Sequence, residues 1–126
     1  MREGYYRDLA CKLAVERRLW GSNDLCGKVD LSGLGLKSVF PHAQFLAFAE
    51  EVDLSGNDIE TVEGFAGCLV SCQRLDLSGN DIKGIEGFEK LMYLKSVNVK
   101  GNPVRSDPEK VEALKSKLDK VAVIFE

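Results

Sequence analysis

A short phrase recurs along the chain. Val29-Asp30-Leu31-Ser32-Gly33 returns as Val52-Asp53-Leu54-Ser55-Gly56 and as Leu75-Asp76-Leu77-Ser78-Gly79, and a looser copy follows in Val97-Asn98-Val99-Lys100-Gly101. Their central residues, Leu31, Leu54, Leu77 and Val99, lie 23, 23 and 22 residues apart. A near-constant period in this range marks a stack of small structural units. Within each copy two apolar residues flank a polar one, so a short strand turns two side chains to one face. A single unit cannot bury them, whereas stacked units share a continuous core. Successive strands then pair in parallel, about 4.8 Å apart.

Further columns carry the same period. The residue after the glycine reads Leu34, Asn57, Asn80, Asn102, and the next apolar column reads Leu36, Ile59, Ile82, Val104. Val39, Val62 and Ile85 follow, then His42, Phe65 and Phe88, then Leu46, Leu69 and Leu91. Cys26, Ala49, Cys72 and Leu94 precede the strands as one core column. The asparagines are placed to bond backbone groups that an irregular turn leaves unpaired. Leu34 interrupts their column at the first turn, which has no earlier turn to bond and needs an apolar cover. His42, in the phenylalanine column, is expected to fill a slot at the core edge.

These columns follow the pattern LxxLxLxxNxIxxI, and over residues 26–126 the chain resembles the leucine-rich repeat. Its period is similar to that of the short class typified by the phosphatase-1 nuclear regulatory subunit and dynein light chain 1, with a spliceosomal snRNP subunit and tubulin-folding cofactors. The resemblance implies an α/β fold, a right-handed solenoid of about four repeats with a parallel β-sheet on its concave face. It implies a non-enzymatic protein-interaction scaffold, with phosphatase, dynein or tubulin-related proteins as the kinds of partner. The alternative it carries is a regulatory or targeting domain of a larger enzyme or of a cytoskeletal or dynein-type complex.

Both ends of such a stack need closure. Residues 1–25 are expected to form an N-terminal capping helix, 26–105 the repeats and 106–126 a C-terminal cap, together one domain. The helix reads from Tyr5 to Trp20, with Tyr6, Leu9, Ala10, Leu13 and Trp20 on its packing face. A smaller strip, Cys11, Val15 and Leu19, faces away and either docks a partner or covers the first repeat. Gly21 to Asp24 ends the helix. Ser106-Asp107-Pro108-Glu109 starts a second helix bearing Val111, Leu114, Leu118 and Val121, and Val121 to Phe125 reads as a last strand.

Between the core positions of the strands lie three rows of outward side chains: Lys28, Glu51, Arg74, Ser96; Asp30, Asp53, Asp76, Asn98; and Ser32, Ser55, Ser78, Lys100. The first two rows supply the candidate partner contacts Lys28, Asp30, Glu51, Asp53, Arg74, Asp76 and Asn98. The bland alternative is a solvated scaffold face, since neighbouring carboxylates repel by only about 1 kcal/mol in water. Departures from the repeat add Phe40, Phe48 and Tyr93, because aromatics are enriched at interface hot spots. Against that, Phe40 would pack on the N-terminal helix or its own turn, and Phe48 on the core.

No catalytic, cofactor or metal residues are assigned. The chain's one histidine, His42, has no nucleophile or acid in a motif with it, and no phosphate-binding or nucleophile-elbow sequence is present. The four cysteines lack zinc spacing. Cys26 and Cys72, two strand spacings or roughly 9.6 Å apart, are beyond disulfide reach. Thiols left in a core point to a reducing compartment, the cytoplasm or the nucleus. With 17 Lys and Arg against 20 Asp and Glu, the net charge is −3, which disfavours direct nucleic-acid binding. No apolar run reaches the roughly 18 residues of a membrane span. A monomer is expected.

Overall fold

The computed structural model describes residues 2–21, 26–38, 40 and 42–125, and, within its first helix, the side chains of Leu9 and residues 12–20. Helix α1 runs over Arg2–Trp20. Five three-residue strands follow: β1 (Lys28–Asp30), β2 (Glu51–Asp53), β3 (Arg74–Asp76), β4 (Ser96–Asn98) and β5 (Ala122–Ile124). They form one parallel sheet in chain order. Short 3-10 helices at Ala43–Leu46, Ala66–Cys68 and Phe88–Lys90 return the chain between strands, and a fourth at Pro103–Ser106 leads into α2 (Pro108–Lys117).

The register reproduces the sequence columns. Lys28, Glu51, Arg74, Ser96 and Ala122 align across the sheet, as do Asp30, Asp53, Asp76, Asn98 and Ile124. One core extends through the stack behind the sheet, from Val15 and Leu19 through Leu31, Leu54, Leu77 and Val99 to Leu114 and Leu118. In the strand-to-turn glycine column, φ lies between 65° and 69° at Gly33, Gly56, Gly79 and Gly101. That left-handed conformation is costly for residues with a Cβ.

The asparagine column joins each turn to the one before. Leu34 and Leu36 N–H donate to Asn57 Oδ1 at 2.9 and 3.0 Å. Asn57 Nδ2 donates to the carbonyls of Leu31 and Leu54 at 3.0 and 2.9 Å. Asn80 does the same for Ile59 N–H and the carbonyls of Leu54 and Leu77, and Asn102 for Ile82 N–H and the carbonyls of Leu77 and Val99. All three asparagines are buried. Leu34 stands at the end of this chain of bonds, where its own side chain would have no earlier turn to reach.

The N-terminal helix packs differently from its expected face. Leu9, Leu13 and Trp20 are exposed, while Val15 and Leu19 are fully buried on the first repeat. The smaller strip is therefore the packing stripe, and Val15 and Leu19 are not free to dock a partner. Two polar links accompany this rotation: Arg18 donates to the Asp30 carbonyl at 3.2 Å, and Glu16 meets His42 at 2.9 Å. The side chains of Tyr6, Ala10 and Cys11, and residues 22–24, lie outside the described residues.

At the other end, Asp107 caps α2 by accepting from Glu109 N–H at 3.1 Å, with Pro108 in the first turn. Leu114 and Leu118 close the core beneath it.

Asn80→Ala leaves the Ile59 N–H buried without its side-chain acceptor and takes one of two amide donors from each of the Leu54 and Leu77 carbonyls, which keep Asn57 and Asn102. It should cost about 3 kcal/mol of unfolding free energy, read as a lower urea midpoint. Glu60→Ala, at an exposed position nearby, should stay within about 0.5 kcal/mol of the unsubstituted chain.

Candidate binding surface

Each strand ends by turning its polar side chain back on the next residues. Asp30 Oδ1 accepts from Ser32 N–H at 2.9 Å and from Ser32 Oγ at 2.6 Å. Asp53 with Ser55 and Asp76 with Ser78 repeat the arrangement almost unchanged. Asn98 Oδ1 accepts from Lys100 N–H at 3.0 Å. The aspartate and serine rows are thus one structural device that ends the strand. These bonds hold the Asp30 carboxyl below its ordinary 3.8, the Ser32 hydroxyl being the largest cause. A carboxyl lowered on folding contributes stability above its unfolded pKa and loses it as pH falls through the lowered value.

The open face of the sheet carries a shallow hollow of about 180 Å³, lined by Glu51, Asp53, Arg74, Asp76, Ser96, Asn98 and Ile124 among others. Arg74 Nε donates to Glu51 Oε1 at 2.7 Å, and its Nη2 meets the same oxygen. Lys28 and Asp30 are exposed at the first strand, and Arg18 Nη1 lies 3.5 Å from Asp30 Oδ1. The second row therefore passes from carboxylates at Asp30, Asp53 and Asp76 to an amide at Asn98 and to a hydrocarbon at Ile124. One surface thus presents charged, polar and apolar groups in order along the stack.

The aromatic candidates separate. Phe40 is a core residue, its ring 5.1 Å from that of Phe65, so it offers no contact surface. Phe48 and Tyr93 are 72% and 66% exposed. They flank Val70 in a second groove, of about 410 Å³, beside the N-terminal ends of the strands.

His42 sits half-buried at the core edge, its side chain 19% exposed, where Phe65 and Phe88 are fully buried. Its φ of 64° is left-handed, whereas Phe65 has φ −131°, and its ring lies beside Glu16, Trp20 and Phe45. Trp20 and Phe45 meet edge-on at 5.2 Å. Cys26 is exposed, not core like Ala49 and Cys72. The exposed Val70 and Met92 were missed in the sequence; they share a column with Ala47, directly after the core leucines Leu46, Leu69 and Leu91, and that recurrence of apolar residues in a turn was the signal.

Among the described residues, no group of three or more His, Cys, Asp or Glu is placed to hold a metal ion. Burial pushes the Cys72 thiol up to about 11.

Solved structures share this architecture. A leucine-rich-repeat protein of Leptospira interrogans aligns at TM-score 0.60 and 26% identity over 69% of this chain, which spans only 22% of that protein. A chain of the Drosophila melanogaster SNF/U2A′ complex aligns at TM-score 0.55 and 18% identity, covering 79% of this chain and 72% of its own. A chain of the Chaetomium Mex67:Mtr2 subunits aligns at 0.58 and 21% over 98% and 89%. No family model matches the sequence, and neither does any curated protein. The fold is a leucine-rich-repeat α/β solenoid.

In the native protein at mildly alkaline pH, iodoacetamide should label Cys26 and leave Cys72 unmodified, because a buried protonated thiol is a poor nucleophile. Peptide mapping before and after denaturation in urea reads the difference.

Proposed function

We propose that the chain is a non-enzymatic interaction scaffold that binds a protein partner across the open face of its sheet. The observation that supports this is the graded row Asp30–Asp53–Asp76–Asn98–Ile124 on a rigid, in-register sheet. A core built only to stack repeats has no use for a hydrocarbon at Ile124 on the solvent side, and 40% of that residue is exposed. A partner segment with basic groups at one end and apolar groups at the other matches such a face. Protein interaction is also the general setting of this fold's neighbours, two of which come from two-protein assemblies. Phosphatase, dynein and tubulin-related proteins are the partner classes that the sequence resemblance suggests. The buried, protonated Cys72 thiol supports work in a reducing compartment such as the cytoplasm or nucleus.

The paired substitution Asp53→Asn and Asp76→Asn tests this reading cleanly. An asparagine keeps the oxygen that accepts from Ser55 or Ser78 and removes only the charge. The double variant should melt within a few degrees of the unsubstituted chain and bind its captured partner at least about tenfold more weakly, a loss of about 1.4 kcal/mol. Equal binding by the variant, measured with the purified partner, removes the sheet face from consideration.

A further inference from the structure

The groove beside the strand starts has a symmetry of its own. Glu50 and Gln73 line it and Lys95 continues their row, so that the three occupy equivalent positions in three successive repeats. Their alignment is pinned by the backbone: Gln73 N–H donates to the Glu50 carbonyl at 2.8 Å, and Lys95 N–H to the Gln73 carbonyl at 2.7 Å. Next to it Phe48, Ser71 and Tyr93 form a parallel row at the same period, Phe48 and Tyr93 being 72% and 66% exposed, and Val70, 50% exposed, lies beside Ser71 in the middle repeat. One row reads acid, amide, base and the other reads aromatic, hydroxyl, aromatic. Both rows map onto their own complement when rotated by half a turn about the middle repeat.

A two-fold interface needs such a surface, because each residue must meet the partner copy's complement of itself. We infer that this groove is a homodimer interface, in which a second copy of the chain packs antiparallel along it. Phe48 then stacks on Tyr93 of the second copy, and Glu50 pairs with its Lys95. At the axis Val70 meets Val70, and Gln73 meets Gln73, whose amide both donates and accepts and so can pair with itself. Lys95 and Glu50 sit about 10 Å apart, two strand spacings, so the two ion pairs lie on opposite sides of the axis. The one like-charge approach near the axis, Arg74 with Arg74, is relieved because each guanidinium is already held by its own Glu51.

Exposed apolar side chains extend the same band beyond the groove. Phe45 lies one 3-10 turn before Phe48, in edge contact with Trp20, and Met92 lies beside Tyr93 with 82% of its surface exposed. In the antiparallel arrangement Met92 falls opposite Ala47 of the second copy, the residue in its own column across the middle repeat. Contiguous apolar surface of this kind on a soluble chain marks an association site. Asp53 and Asp76 lie at the ends of their strands, away from this groove at the strand starts, so the inference rests on observations separate from the partner reading above.

Sedimentation velocity of the full chain across the micromolar range provides the test. The sedimenting mass should rise with concentration from one chain toward two, with a dissociation constant of order 10 µM, as small interfaces give. Phe48→Ala should weaken association about tenfold or more. Glu50→Lys and Lys95→Glu should each weaken it several-fold, by setting like charges against each other. Combining the two swaps should restore it, because the pairs are re-formed with reversed sign. All three positions are exposed, so thermal melts should stay unchanged and separate lost association from lost folding. A chain that stays monomeric throughout the range overturns the inference. So does a combined swap that associates no better than the single ones.

Discussion

Every turn of this solenoid depends on one buried amide. A three-residue strand followed by an irregular turn leaves N–H and carbonyl groups that no regular ladder satisfies, and burying them unpaired is costly. The carboxamides of Asn57, Asn80 and Asn102 each accept from the preceding turn and donate to carbonyls of both turns. Each asparagine therefore serves two repeats at once, and the stack holds its spacing because the amide has one length. Among the described residues no buried side-chain nitrogen or oxygen lacks a partner. The left-handed glycines before these asparagines complete the same turn, since they let the chain bend sharply enough to bring each amide under its neighbour.

That constraint frees the surface. Once the asparagines hold the turns and the apolar columns fill the core, the side chains between them are limited only by the strand ends. The aspartates spend one oxygen on the following serine and leave the rest of the carboxyl to the face. Glu51 and Arg74 neutralise each other across neighbouring strands. The sheet is consequently a rigid platform whose charge pattern can vary without loss of fold, a sound basis for recognising a partner.

The repeat register, the asparagine and glycine columns, the C-terminal helix and the last strand were all legible in the sequence. Each is dictated by contacts that recur at one period, so four weak copies reinforce one another. The misplaced residues are those with a single copy. The N-terminal helix offers two apolar stripes, and periodicity cannot say which of them meets the first repeat. The structure chose Val15 and Leu19, with Arg18 and Glu16 reaching Asp30 and His42. Phe40 resembled a surface aromatic because no other repeat carries one, yet it packs on Phe65 in the next turn. His42, in the phenylalanine column, stays at the core edge, and only the structure shows that its neighbours there are Glu16, Trp20 and Phe45.

The sequence by itself determined the architecture: a 22–23-residue period of alternating apolar residues, asparagine and glycine admits a parallel stacked sheet and little else. Tertiary structure alone decided which unrepeated side chains face water. Phe40 and Phe48 are of one residue type and eight positions apart, yet one is core and the other is mostly exposed. Composition cannot separate them, because burial of a side chain outside the repeat depends on what the neighbouring turn and the capping helix place above it.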